Sequence, residues 1–180
     1  MKANWFVAYK VELPKLDLSL IEAEQVRWFQ PADFHVTLVF LGGLNEAQIG
    51  HAKSLFADFP AKPFDLPVKA FTTLPPGPRF SALCLQLQAD PDWSDHVVTA
   101  RKHFLVALNL PPETREPLPH ITLARPLRQA GHQQRAKIQS AWCALQPPEI
   151  QVHLGQLALY TWNEDRQVRQ FQEVCLVCPG

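Results

Sequence analysis

Apolar and polar residues alternate, or β-branched and aliphatic residues cluster, at about 4 to 12, 34 to 41, 64 to 73, 80 to 88, 119 to 125, 150 to 161 and 168 to 177. A period of two in such residues predicts strands. Between several of them the period lengthens to that of a helix. Ile49, Ala52, Phe56 and Phe59 make an apolar stripe behind Asn45, a residue suited to an N-cap. Val97, Phe104, Leu105 and Leu108 make a second stripe, and Ile138, Ala141, Trp142 and Leu145, at i, i+3, i+4 and i+7, a third. Asp17 or Ser19 is placed to cap an earlier helix running to about Trp28. These stripes predict core-facing sides of helices rather than a cofactor site. Periodicity alone therefore predicts a mixed α+β chain.

The connections carry their own signals. Leu74-Pro75-Pro76-Gly77-Pro78 predicts a rigid turn joining two strands. Leu110 to Pro119 is too long for a tight hairpin and is expected to form a rim loop. The layout reads as an approximate duplication, with a helix and then a strand of special composition in each half.

Composition narrows the class. With 180 residues, 47% apolar, the chain is long enough to bury a core, as one domain or two small lobes. Lys and Arg (17) balance Asp and Glu (17), which argues against a non-specific polyanion binder. Arg125, Arg128, Arg135 and Lys137 cluster locally; a solvated helix face is expected for all but Arg125. No apolar stretch reaches the length of a membrane span and the start carries no signal-peptide core, so a cytoplasmic location is expected. Cys175 and Cys178 have the spacing of a zinc pair, but no second pair accompanies them, and buried structural thiols are expected.

One short pattern occurs twice: His35-Val36-Thr37-Leu38 and His120-Ile121-Thr122-Leu123. Each sits in strand-like sequence behind a proline-bearing turn. Alternation puts His35 and Thr37 on one face of the first strand, and His120 and Thr122 on one face of the second. Were the two strands to meet, two imidazoles would flank a small space lined by two hydroxyls. Histidine titrates near neutrality, so a pair can hold one neutral base and one protonated acid at the same pH. That suits in-line displacement at phosphorus, with Thr37 and Thr122 as donors to non-bridging oxygens. Arg125 could grip phosphate with its guanidinium, but strict alternation turns it away from His120 unless the strand ends, twists or bulges. Trp28 and Phe34 are candidates to stack on a base, with core packing the plainer expectation. His51, His96, His103, His132 and His153 share no such pattern. Neither a metal-ligand motif nor an ATP-binding phosphate loop occurs, so no metal and no cofactor is expected.

These motifs resemble those of the 2H phosphoesterases, and most of all the bacterial and archaeal RNA 2′,3′-cyclic phosphodiesterases, also called 2′-5′ RNA ligases. Asn4 to Ala8 with Leu13-Pro14 is similar to that family's opening strand, Trp28 to Gly42 and Pro119 to Pro126 to its two motif regions, and Leu157 to Tyr160 to a late strand. The resemblance implies an α+β fold of two pseudo-symmetric lobes, with antiparallel sheets flanked by helices and a cleft between the two H-x-T-x strands. One bilobal unit would then span residues 1–180. It implies hydrolysis of RNA 2′,3′-cyclic phosphate ends to 2′-phosphomonoesters, with reversible 2′-5′ ligation, His35 as proton donor and His120 as acceptor. The expected partner is an RNA or oligonucleotide with a cyclic phosphate end, bound by a monomer with no membrane and no metal. Two alternatives stand beside it: the same chemistry on a small cyclic or 2′-5′ linked nucleotide, and an RNA-end binding protein without turnover.

Overall fold

The computed structural model describes residues 3–19, 21, 25–165 and 169–177. Their strands are β1 (Asn4–Lys10), β2 (Val26–Trp28), β3 (His35–Gly43), β4 (Phe64–Leu74), β5 (Ala82–Leu87), β6 (His120–Pro126), β7 (Gln151–Leu154), β8 (Gln156–Trp162) and β9 (Phe171–Val177). The helices are α1 (Glu46–Asp58), α2 (Pro91–Ala107) and α3 (His132–Cys143). The fold is α+β, as expected. All pairings are antiparallel, and the strands run β7-β4-β5-β6-β3-β1-β8-β9 across one sheet, with β2 added against β6.

Local chemistry sets the helices. Asn45 accepts from the Gln48 backbone N–H at 2.9 Å while the Gln48 side chain accepts from the Asn45 N–H, a capping box that starts α1. Asp90 caps α2 by accepting from Trp93 N–H at 2.7 Å, with Pro91 in the first turn, where its missing N–H costs nothing. The predicted stripes turn inward: Ala52, Phe56, Val97, Phe104, Leu105, Ile138 and Trp142 are buried. α2 packs on β3 and α3 on β4, covering one face of the sheet.

Four expectations are corrected. The expected first helix to Trp28 is replaced at its end by β2, and residues 20 and 22–24 lie outside the described residues. The segment expected as one strand over 150 to 161 is two, β7 and β8. The repeating unit is a motif strand followed by a helix, β3 then α1 and β6 then α3, rather than the reverse. The thiols differ among themselves: Cys84 is buried, Cys175 partly so and Cys143 exposed, while Cys178 lies outside the described residues. No described helix is long and apolar enough to cross a membrane.

The two halves of the sheet meet where β3 and β6 pair, through the single register pair Val36 and Ile121. Beyond it the motif strands diverge. β2 then takes the edge of β6, with Arg27 opposite Arg125 and Trp28 opposite Ala124. The face away from the helices is left open above this junction.

Candidate active site

The junction register sets the site. With Val36 opposite Ile121, one residue further on either side puts His35 across from Thr122 and Thr37 across from His120. The two imidazoles are thus diagonal neighbours, and each has the other strand's threonine beside it. Val36 and Ile121 are fully buried against the helices, so their neighbours in sequence must face the other way. His35, Thr37, His120 and Thr122 all line one open cleft of about 1200 Å³.

Both motif strands then carry a β-bulge at the same place. On β3, Val7 pairs with Val39 and Ala8 with Thr37, leaving Leu38 as the extra residue. On β6, Leu83 pairs with Ala124 and Cys84 with Thr122, leaving Leu123 extra. Leu38 and Val39 are consequently both buried, as are Leu123 and Ala124. Alternation resumes one residue out of phase, which turns Phe40 and Arg125 into the cleft, each five residues past its histidine. The bulge answers the question that strict alternation left open for Arg125. It also makes the two lobes chemically unlike, an aromatic ring in one and a guanidinium in the other.

Each histidine is oriented by its own backbone. His35 Nδ1 lies 2.7 Å from the Asp33 carbonyl oxygen, and His120 Nδ1 lies 2.8 Å from that of Leu118. A carbonyl only accepts, so Nδ1 carries the hydrogen in both rings and Nε2 is left for chemistry in the cleft. The expected rim loop, Leu110 to Pro119, does not line the cleft; its contribution is the Leu118 carbonyl. The rim is made instead by Pro78 to Ser81, by 126–130, and by His132 and Arg135.

The surroundings of the rings differ. Phe6, Phe171 and Tyr160 close around His35 with centroids at 4.9, 5.1 and 5.8 Å. This desolvation pushes the His35 pKa down to about 4, against the upward pull of the Asp33 carbonyl. His120 is also lowered by burial, opposed by its bond to Leu118. Both rings are therefore biased toward neutrality. Beneath Thr122, the Cys84 Sγ sits 3.7 Å from its hydroxyl, and burial pushes that thiol up to about 11, so it stays protonated.

Asp33 ties this corner together. It is 2% exposed, in the short turn Pro31–Asp33. Its carboxylate accepts from the backbone N–H groups of Gln170 (2.9 Å) and Phe171 (3.2 Å) and sits 3.4 Å from Arg169 Nε. One residue thus holds the His35 ring by its carbonyl and the Phe171 segment by its carboxylate. Sequence reasoning missed Asp33, Phe6 and Phe171, because no local pattern announces a contact between residues 33 and 171. Trp28 and Phe34 pack against the core and do not line the cleft. Among the other histidines, His96 meets the Tyr9 hydroxyl at 2.9 Å and His153 pairs with Asp65 at 2.8 Å. Among the described residues, no three His, Cys, Asp or Glu side chains gather as a metal site would require.

Comparison with known proteins agrees with this picture. The model of the family described as LigT like phosphoesterase matches residues 18–80, a segment that holds the first motif and stops before the second. No protein of curated function matches the chain in sequence. Among solved structures, TT0787 of Thermus thermophilus is similar with a TM-score of 0.69 and 17% identity, over 97% of each chain. Escherichia coli LigT complexed with 3′-AMP has a TM-score of 0.69 and 16% identity, over 99% of each chain. Usb1 of Kluyveromyces marxianus has a TM-score of 0.50 and 14% identity, over 88% of this chain and 93% of its own. At these identities the likeness is one of fold. The chain shares the fold of these proteins, and the matched family model covers the segment that carries the first of its two H-x-T motifs, in line with the resemblance to the 2H phosphoesterases.

Proposed function

We propose that the protein is a phosphodiesterase that opens 2′,3′-cyclic phosphate ends of RNA to 2′-phosphomonoesters, with His35 and His120 as paired acid and base. The observation that carries this reading is the diagonal pair of imidazoles, each pinned through Nδ1 to a backbone carbonyl and each beside a threonine of the other strand. Water attacks phosphorus, giving a proton to one imidazole. The bond from phosphorus to the ribose 3′ oxygen breaks on the opposite side, and that oxygen takes a proton from the other imidazole. Thr37 and Thr122 donate to the non-bridging oxygens, and Arg125 supplies a charge-assisted pair of donors. By microscopic reversibility the same groups, with exchanged roles, serve 2′-5′ ligation.

The family resemblance makes His35 the donor and His120 the acceptor. A phosphodiester anion beside His35 draws the ring back toward its protonated form. The opposite order is favoured by one observation, the stronger desolvation of His35, which suits a neutral base. A cyclic substrate with sulfur in place of the 3′ oxygen separates the two, since a thiolate leaves without a proton: the alanine variant it rescues marks the acid. The proposal extends to one bilobal unit over residues 1–180, supported by the sheet that runs through both halves, and to a monomer in the cytoplasm.

The test is incubation with EDTA and without ATP of RNA, or a nucleoside, ending in a 2′,3′-cyclic phosphate, with 2′- and 3′-phosphate products resolved. Formation of the 2′-phosphate supports the reading. Tight binding without product would favour an end-binding protein, and turnover restricted to other cyclic or 2′-5′ linked nucleotides would favour a small-molecule enzyme.

A further inference from the structure

The cleft is basic although the chain is not. Among the described residues its lining carries five arginines and no carboxylate, in a protein of zero formal charge. The five are not equivalent. Arg125 belongs to the catalytic floor, and Arg27 lies opposite it on β2. Arg135 is committed to structure: Nη1 donates to the Phe80 carbonyl at 2.8 Å and Nε to the Ala130 carbonyl at 3.1 Å, with the guanidinium over the Phe80 ring. A single guanidinium therefore clips together two stretches remote in sequence, the end of the β4–β5 connection and the turn before α3. That turn is itself closed by Ala130 N–H donating to Leu127 O at 3.0 Å.

Each clipped stretch presents one further arginine to the cleft. Arg79 directly precedes Phe80, and Arg128 lies inside the Leu127 to Ala130 turn. Both are exposed, and among the described residues neither meets a carboxylate, whereas Arg115 is paired with Glu113 and Arg169 with Asp33 and Glu173. Holding two unpaired guanidiniums on one scaffold, beside further arginines, costs repulsion that an incoming anion relieves. The cleft, at about 1200 Å³, also exceeds the roughly 300–1,000 Å³ usual for a small-ligand pocket.

We propose that Arg79 and Arg128, held together by Arg135, form a second phosphate subsite for the internucleotide phosphates of a single strand, next to the nucleotide whose phosphate reacts. The proposal rests on the phosphodiesterase reading above and narrows its substrate to the end of a strand. Flanking phosphates then add affinity in a salt-dependent way, by about 0.7 in the log–log slope for each contact to a single strand.

The experiment measures kcat/KM at several salt concentrations for a nucleoside 2′,3′-cyclic monophosphate, the same compound with a 5′-phosphate, and cyclic-ended oligoribonucleotides of increasing length. The proteins are wild type, the Arg79→Gln/Arg128→Gln double variant and, as a charge control on α3, Lys137→Gln. The expected result is a gain with length in wild type. In the double variant the oligomer-to-monomer ratio drops about ten-fold and the salt slope becomes shallower by about 1.4. Lys137→Gln keeps the wild-type ratio. Turnover of the monophosphate with no gain from length overturns the subsite and leaves the phosphodiesterase reading intact. A gain supplied wholly by the 5′-phosphate overturns the strand in favour of a small nucleotide. No turnover of any substrate overturns the phosphodiesterase reading itself.

Discussion

Replacing Phe171 by alanine opens the aromatic enclosure of His35 without touching either imidazole. The His35 pKa is pushed from the ordinary 6.5 down to about 4, chiefly by desolvation. At about 1.4 kcal/mol per unit, this is about 3 kcal/mol against the charged ring. Three rings share that work, and Phe171 stands edge-on at 5.1 Å, so letting water in on its side should return roughly a third of the shift, or about one unit. The assay is titration of the His35 ring by NMR in the empty protein. Phe171→Leu, which keeps most of the apolar volume, should move the midpoint less. The same group predicts how stability depends on pH. The unfolded ring titrates near 6.5 and the folded one near 4, so the unfolded chain binds more protons between those values. Stability from this group is therefore complete above about 6.5 and is lost as pH falls toward 4, and Phe171→Ala should flatten that decline. A midpoint unmoved in a folded Phe171→Ala variant would refute the enclosure as the cause.

Other outcomes follow from the same geometry. Asp33→Asn removes a buried carboxylate that holds two backbone N–H groups and Arg169, and should cost about 3 kcal/mol, read as a fall of roughly 10 °C in Tm; an unchanged Tm would contradict its anchoring role. Arg125→Ala should lower kcat/KM on the order of 10²-fold and Arg125→Lys should recover only part, since an ammonium lacks the planar fork; full recovery by lysine would reduce Arg125 to a point charge. Both histidines are lowered by burial, and kcat/KM reports the free protein, so its alkaline limb should fall on the acid side of 6.5. A limb well above 7 would count against the desolvated site.

How far the sequence reveals all this depends on the range of each interaction. The motif strands, the capped helix after Asn45 and the stripe through Ile138 and Trp142 are written in nearest-neighbour chemistry, and they stand where the periodicity puts them. The histidines and threonines are legible because alternation over three residues needs no tertiary information. Arg125 is legible only as a conditional, since the bulge at Leu123 arises from the register with β5. β2 stays hidden because three residues carry too little pattern, and its edge position depends on the divergence of β3 from β6. The corner around His35 is least legible of all: Asp33 and Phe171 meet across most of the chain's length. Neutral composition likewise conceals a cleft whose arginines face one way.

In the proposed reaction two imidazoles from two strands act on one phosphate as a single unit. A double-mutant cycle measures it most directly, using kcat/KM for a cyclic-phosphate substrate with His35→Ala, His120→Ala and the double variant, each checked for folding. Each single change should cost on the order of 10² to 10⁴-fold, and the double variant should lose far less than the product of the two, because either loss already disables the pair. Losses that multiply, or a single variant that retains wild-type turnover, would contradict a paired acid and base.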